Sequence, residues 1–168
     1  MSFTEITIAW GGELSQDVSA TIATKISQEI PSLSTSVTPL SKLKPKTLPS
    51  LPPTTLLIVI LQTIENQEPS EDAGAFVRFF KRKTHPSDLL TSGFHLSMLG
   101  LGDSNLLLDR QTTGSKDCND VAFKTWKRMG ELGIKNFGEL GVADERTGLT
   151  EVEVWIEGLV ELLKEKMA

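Results

Sequence analysis

Groups able to hold a ligand gather in the run Gly100-Leu101-Gly102-Asp103-Ser104-Asn105. Two glycines let a backbone come close to a ligand without an intruding side chain, and Asp, Ser and Asn add donors and acceptors around it. Two familiar chemistries are absent from it. Gly102-Asp103-Ser104 is no nucleophile elbow, which needs glycine on both sides of its serine. Gly100-x-Gly102 lacks the third glycine of a dinucleotide fingerprint and follows a late strand. His85 and His95, the two histidines, stand in no metal-ligand spacing, and His95 alternates with Phe94 and Leu96 as a strand residue. Cys118 reads as a plain surface thiol, and Trp10, Trp126 and Trp155 fall at packing positions.

The elements that must position this run follow from periodicity. Ile6 to Trp10 alternates as a strand and ends in Gly11-Gly12; Ser15 is the expected N-cap of a helix whose apolar face is Val18, Ile22, Ile26 and Ile30. Thr35 to Val37 is expected as a short edge strand, and the five prolines between 39 and 53 as a linker or rim loop. Leu56 to Leu61 is apolar on both faces, the mark of a central parallel strand. A helix starting near Glu71 or Asp72 carries the stripe Ala73, Phe76, Val77 and Phe80, and Lys81-Arg82-Lys83 places positive charge at its end. A strand at Phe94 to Leu99, a helix at Val121 to Leu132, a strand at Ile134 to Leu140 and a helix at Leu149 to Lys166 complete the series. Strands alternating with helices imply right-handed βαβ units and a parallel sheet. Ligands then bind beyond the carboxyl ends of the strands, so the loops near 11, 62, 102 and 141 are the ones that matter.

A chain of 168 residues suits one domain, 1–168. A formal charge of −5 argues against a nucleic-acid partner, which would need clustered Lys and Arg. The longest apolar run is too short to cross a bilayer, and one cysteine makes no internal disulfide, so a cytoplasmic, membrane-free protein is expected.

These loops resemble the FMN-binding, flavodoxin-like domain of the diflavin reductases. The likeness runs from Ile6 to about Leu163 and rests on Glu68-Pro69-Ser70-Glu71-Asp72-Ala73, Leu99 to Asn105, and Gly130 to Leu149 with Trp155 behind it. It implies a three-layer α/β sandwich with a five-stranded parallel sheet of order 2-1-3-4-5. It implies FMN as cofactor, with a phosphate turn at Gly11, Gly12, Glu13, Leu14, Ser15 and Gln16 and ring contacts from Gln62, Thr63, Ile64, Glu65 and Asn66. Further ring and ribityl contacts fall on Leu101, Gly102, Asp103, Asn105 and Leu106, and the acidic pair near the ring is Asp144 and Glu145. The chain departs from the family at several of these points. Its first loop is about two residues short and carries one hydroxyl, and Glu13 and Asp17 would repel a phosphate. Glu65 and Gln67 replace two glycines, and with no tyrosine in the chain Ile64 and Leu106 stand where aromatic residues stack. Residues 109–120 exceed the family length by about ten, as functional loops often do.

Acidic residues gather on the loops at the cleft: Glu13, Asp17, Glu65, Glu68, Glu71, Asp72, Asp103, Asp109, Asp144 and Glu145. Such a rim would steer a basic redox partner or reductase module, or is a solvated edge. Two functions stay open at this point. One is an FMN electron-transfer domain, an oxidoreductase module fed by a separate reductase. The other is a flavodoxin-like domain that has lost FMN and serves as an interaction or scaffold module.

Overall fold

The computed structural model describes residues 2–64, 67–107 and 118–167; the side chain of Leu107 also lies outside the description. Strand β1 (Glu5–Gly11) leads to helix α1 (Glu13–Glu29), then β2 (Ser34–Pro39) and β3 (Thr55–Ile64). A two-residue strand β4 (Glu68–Pro69) folds back antiparallel on β3, before α2 (Gly74–Lys81) and β5 (His95–Gly102). Helix α3 (Asp120–Glu131), strands β6 (Lys135–Asn136) and β7 (Gly141–Asp144), and helix α4 (Thr150–Met167) follow.

The main path through the sheet is β2-β1-β3-β5-β6, with β7 also on β5, and every pairing along it is parallel. This is the expected order, with β5 as fourth strand and β6 and β7 as two parts of the fifth. Central strand β3 shows why its run is apolar throughout. Leu57, Val59 and Leu61 enter the core under α2 and α3, whereas Leu56, Ile58 and Ile60 enter the core under α1 and α4. Both faces of the strand are covered, which is why the run Leu56 to Leu61 is apolar on both.

Several boundaries differ from the sequence expectation: β3 runs on through Ile64, and the helix expected from Glu71 or Asp72 opens as a 3₁₀ turn at Glu71–Ala73 before α2. Strand β5 does not stop at Leu99 but runs through Gly100-Leu101-Gly102. The edge strand β2 is longer than Thr35 to Val37. The proline stretch is built into the body, because its 3₁₀ turns at Leu40–Lys42 and Pro45–Ser50 bury Leu40 and Leu48. The expected strand at Ile134 to Leu140 pairs only at Lys135–Asn136: Gly138, at φ 79°, turns the chain out, and pairing resumes at Gly141.

Register brings the four loops side by side. Gly11 is opposite Leu61, Gln62 is opposite Leu101, and Gly102 is opposite Asp144. Parallel strands in matched register end at one level, so their exits share one edge of the sheet.

Candidate functional site

At that edge lies a pocket of about 160 Å³, lined by Leu14, Gln62, Thr63, Ile64, Leu101, Gly102, Asp103, Leu106 and Glu145. All of them are candidates from the sequence, and each of the four loops contributes. Ile64 (39% exposed) and Leu106 (47% exposed) are large apolar side chains left partly in water at its walls. Its volume is below the ~300–1,000 Å³ usual for small-molecule sites. Glu65, Asn66, Leu108 and the insertion through 117 lie outside the described residues.

The third loop is organised by carboxylates. Asp103 accepts a hydrogen bond from the Asn105 amide at 2.9 Å, closing a local turn that leaves Asn105 exposed. Asp144 is only 2% exposed, and its Oδ1 accepts from the amides of Ser104 (2.9 Å) and Arg146 (3.0 Å). Burial by itself would raise its pKa. The Ser104 hydroxyl, close by but outside full hydrogen-bond geometry, the two amides and the charge of Arg146 outweigh it and hold the carboxyl below the usual Asp range. Asp144 therefore ties the fourth loop to the third and does not face the pocket. It also caps the 3₁₀ turn Glu145–Thr147. Of the acidic pair, only Glu145 lines the pocket.

The glycines of the run answer to the protein interior. A Cβ on Gly100 would stand 2.6 Å from Ala122 Cβ, and one on Gly102 would collide with the carbonyl and sulfur of Cys118. The start of α3 is pressed against this strand, which buries Cys118 to 3% exposure, so it is not a surface thiol. Two further residues anchor that contact. Thr63 Oγ1 accepts from the Val121 amide at 3.2 Å, an external cap for α3, and Asn119 Nδ2 donates to the Ala143 carbonyl at 3.0 Å. Sequence reasoning missed Asn119 and gave Thr63 only a ligand role; partners 58 and 24 residues away left no local signal.

The first loop is the largest departure. Strand β1 passes to α1 through Gly12 alone, at φ 115°. Ser15 is not the N-cap: it sits inside α1, fully buried, and its hydroxyl donates to the Gly11 carbonyl at 3.0 Å. The Gln62 side chain lies against Gly12 where a Cβ would be, and its Oε1 is buried without a hydrogen-bond partner among the described residues. Gly11 is glycine because Ala73, Leu40 and Ser70 crowd it. Glu13 and Gln16 are exposed, and neither they nor Gly11, Gly12 and Ser15 reach the pocket; Leu14 does.

The flavodoxin family model matches residues 18–155. The chain belongs to the flavodoxin family. Among its relatives, methionine synthase reductase of Bos taurus is 36% identical over 104 residues, 61% of this chain and 14% of that protein. The Homo sapiens methionine synthase reductase is 34% identical over 104 residues, again 14% of its length. This flavodoxin domain thus matches only a small part of the curated relatives' length. A Streptococcus pneumonia TIGR4 flavodoxin superposes with a TM-score of 0.67 at 15% identity, covering 96% of this chain and 99% of the other. A mutant flavodoxin from Pseudomonas aeruginosa gives 0.65 at 20%, covering 95% and 99%. The last two show the fold.

As a receptor for FMN, the ring end and the phosphate end of this flavodoxin domain differ. The ring end fits: two apolar side chains and the backbone of Leu101 to Asp103 border one slot. The phosphate end does not, since the turn has no loop to wrap an anion and its buried hydroxyl is already used. Among the described residues no His/Cys/Asp/Glu group could hold a metal ion, and no helix is long and apolar enough to cross a membrane.

Proposed function

We propose that this chain is an FMN-binding electron-transfer domain, held to its cofactor chiefly at the isoalloxazine and supplied with electrons by a separate reductase module. The observation that carries this reading is the convergence of all four strand-end loops on one slot between Ile64 and Leu106. When bound, the flavin supplies one- and two-electron chemistry. The protein supplies the slot, the Leu101–Asp103 backbone along it, and Glu145 as negative charge beside it. That charge disfavours added negative charge on a ligand and so would lower its reduction potential. The exposed Glu13, Asp17, Glu68, Glu71 and Glu145 form the part of the acidic edge on which a basic redox partner would dock. The domain comprises 1–168, and its lone, buried cysteine suits the reducing cytoplasm.

Colour and binding test the reading. Purified protein should carry a yellow chromophore or, stripped of it, quench FMN fluorescence on titration. A colourless protein with no quenching at high micromolar FMN refutes the proposal. The second reading, a flavodoxin domain that has given up FMN and works as an interaction module, draws on the narrow pocket and the closed first turn. It expects that negative result together with a cooperatively folded protein.

A further inference from the structure

We propose that the slot recognises a flavin by its ring and not by its phosphate, so that riboflavin binds as tightly as FMN. This rests on the flavin reading above and concerns what the first turn can no longer do. A phosphate dianion leaves water only for donors or positive charge that replace its hydration. Among the described residues, the donors left at this turn are the first-turn amides of α1, and the side chains around them close them to an anion. One residue connects β1 to α1, so no loop of amides surrounds the niche. The Ser15 hydroxyl is buried and directed at Gly11.

The space against Gly12 is filled by the Gln62 carboxamide, which leaves no room there for a phosphate oxygen. Glu13 already sets a carboxylate in the first turn of α1, where the helix would otherwise favour a ligand anion. No Lys or Arg precedes Lys25, and the cation next in sequence to a lining residue, Arg146, sits beside the Asp144 carboxylate. The ring end differs in kind: Ile64 and Leu106 wall it, and apolar contact makes no distinction between the two flavins.

The test is a pair of titrations of the apo protein, with riboflavin and with FMN, followed by quenching of flavin fluorescence. Dissociation constants within about fivefold of each other are expected. Raising NaCl from about 0.05 to about 0.5 M should leave FMN binding unchanged or tighter, because the charge near the site is negative. FMN binding more than about fivefold tighter than riboflavin overturns the inference and leaves the flavin function standing. Binding of neither overturns both. Gln62→Ala clears the niche and should move the ratio at least about fivefold toward FMN. A ratio unmoved in that variant refutes Gln62 as the obstruction.

Discussion

Replacing Asp144 with asparagine keeps the side chain's shape and removes its charge. The carboxylate is buried and takes two amide hydrogen bonds on one oxygen, at 2.9 and 3.0 Å. Hydrogen bonds to a charged group contribute about 1.5–3 kcal/mol, against about 0.5–1.5 for neutral ones. The asparagine side chain would keep an acceptor for both amides, so the loss is the charged increment, about 1 kcal/mol per bond or about 2 in all. For a domain of this size that is about 4–8 °C in Tm. The effect is tied to pH in a definite direction. The folded-state pKa of Asp144 lies below its ordinary value, so the carboxylate's contribution is complete above about pH 3.9, the unfolded value. It is lost as pH falls through the lower folded value. Urea denaturation at pH 7 should therefore show Asp144→Asn less stable by about 2 kcal/mol, with the gap narrowing as pH falls below about 3.9, the unfolded value. Equal stabilities at pH 7, or a gap that persists in acid, would refute the assignment of Asp144 as an ionised link between the loops.

Other substitutions probe the remaining arguments. Gly102→Ala drives a methyl into the Cys118 backbone and should cost about 1–3 kcal/mol in urea melts; unchanged stability would mean that α3 is not pressed on this strand. Leu106→Tyr offers the slot an aromatic face, worth about 0.5–1.5 kcal/mol, and should tighten FMN about 2- to 10-fold by fluorescence titration. Weaker binding would place Leu106 off the ring. His95 packs edge-on to Phe3, its Nδ1 lies 3.0 Å from the Pro53 carbonyl, and burial lowers its pKa. Burial favours its neutral form in the folded state, so wild-type stability should decline as pH falls below about 6.5, the unfolded value. His95→Asn should flatten the profile between about pH 7 and 5, and an unflattened one assigns the decline elsewhere.

What the sequence disclosed about this molecule was local in cause. Periodicity placed the helices because Val18, Ile22 and Ile26 must share one face, and the uninterrupted apolar run of β3 announced cover on both sides. The loops that make the pocket followed from sheet topology, which fixes where parallel strands exit. What stayed hidden depends on contacts far along the chain. Ser15 has the right composition for a cap, but the sharp exit from β1 needs a positive φ that Gly12 supplies, and the helix begins at Glu13, ahead of Ser15. Asp144 and Glu145 are adjacent carboxylates, and only the third loop decides which turns inward. The fifth strand reads as continuous because Gly138 is a single residue in an otherwise regular run, yet its backbone leaves the sheet there.

The close packing of α3 on β5 has a consequence for descent. Ala122 and Cys118 fill the space that side chains at Gly100 and Gly102 would claim, so any heavier residue there strains the fold whether or not the slot is ever filled. A lineage that abandoned its cofactor would relax first at Ile64 and Leu106 and would carry the paired glycines forward intact. In this architecture the glycine pair is a fossil of the fold, and the record of the chemistry is written in the residues around it.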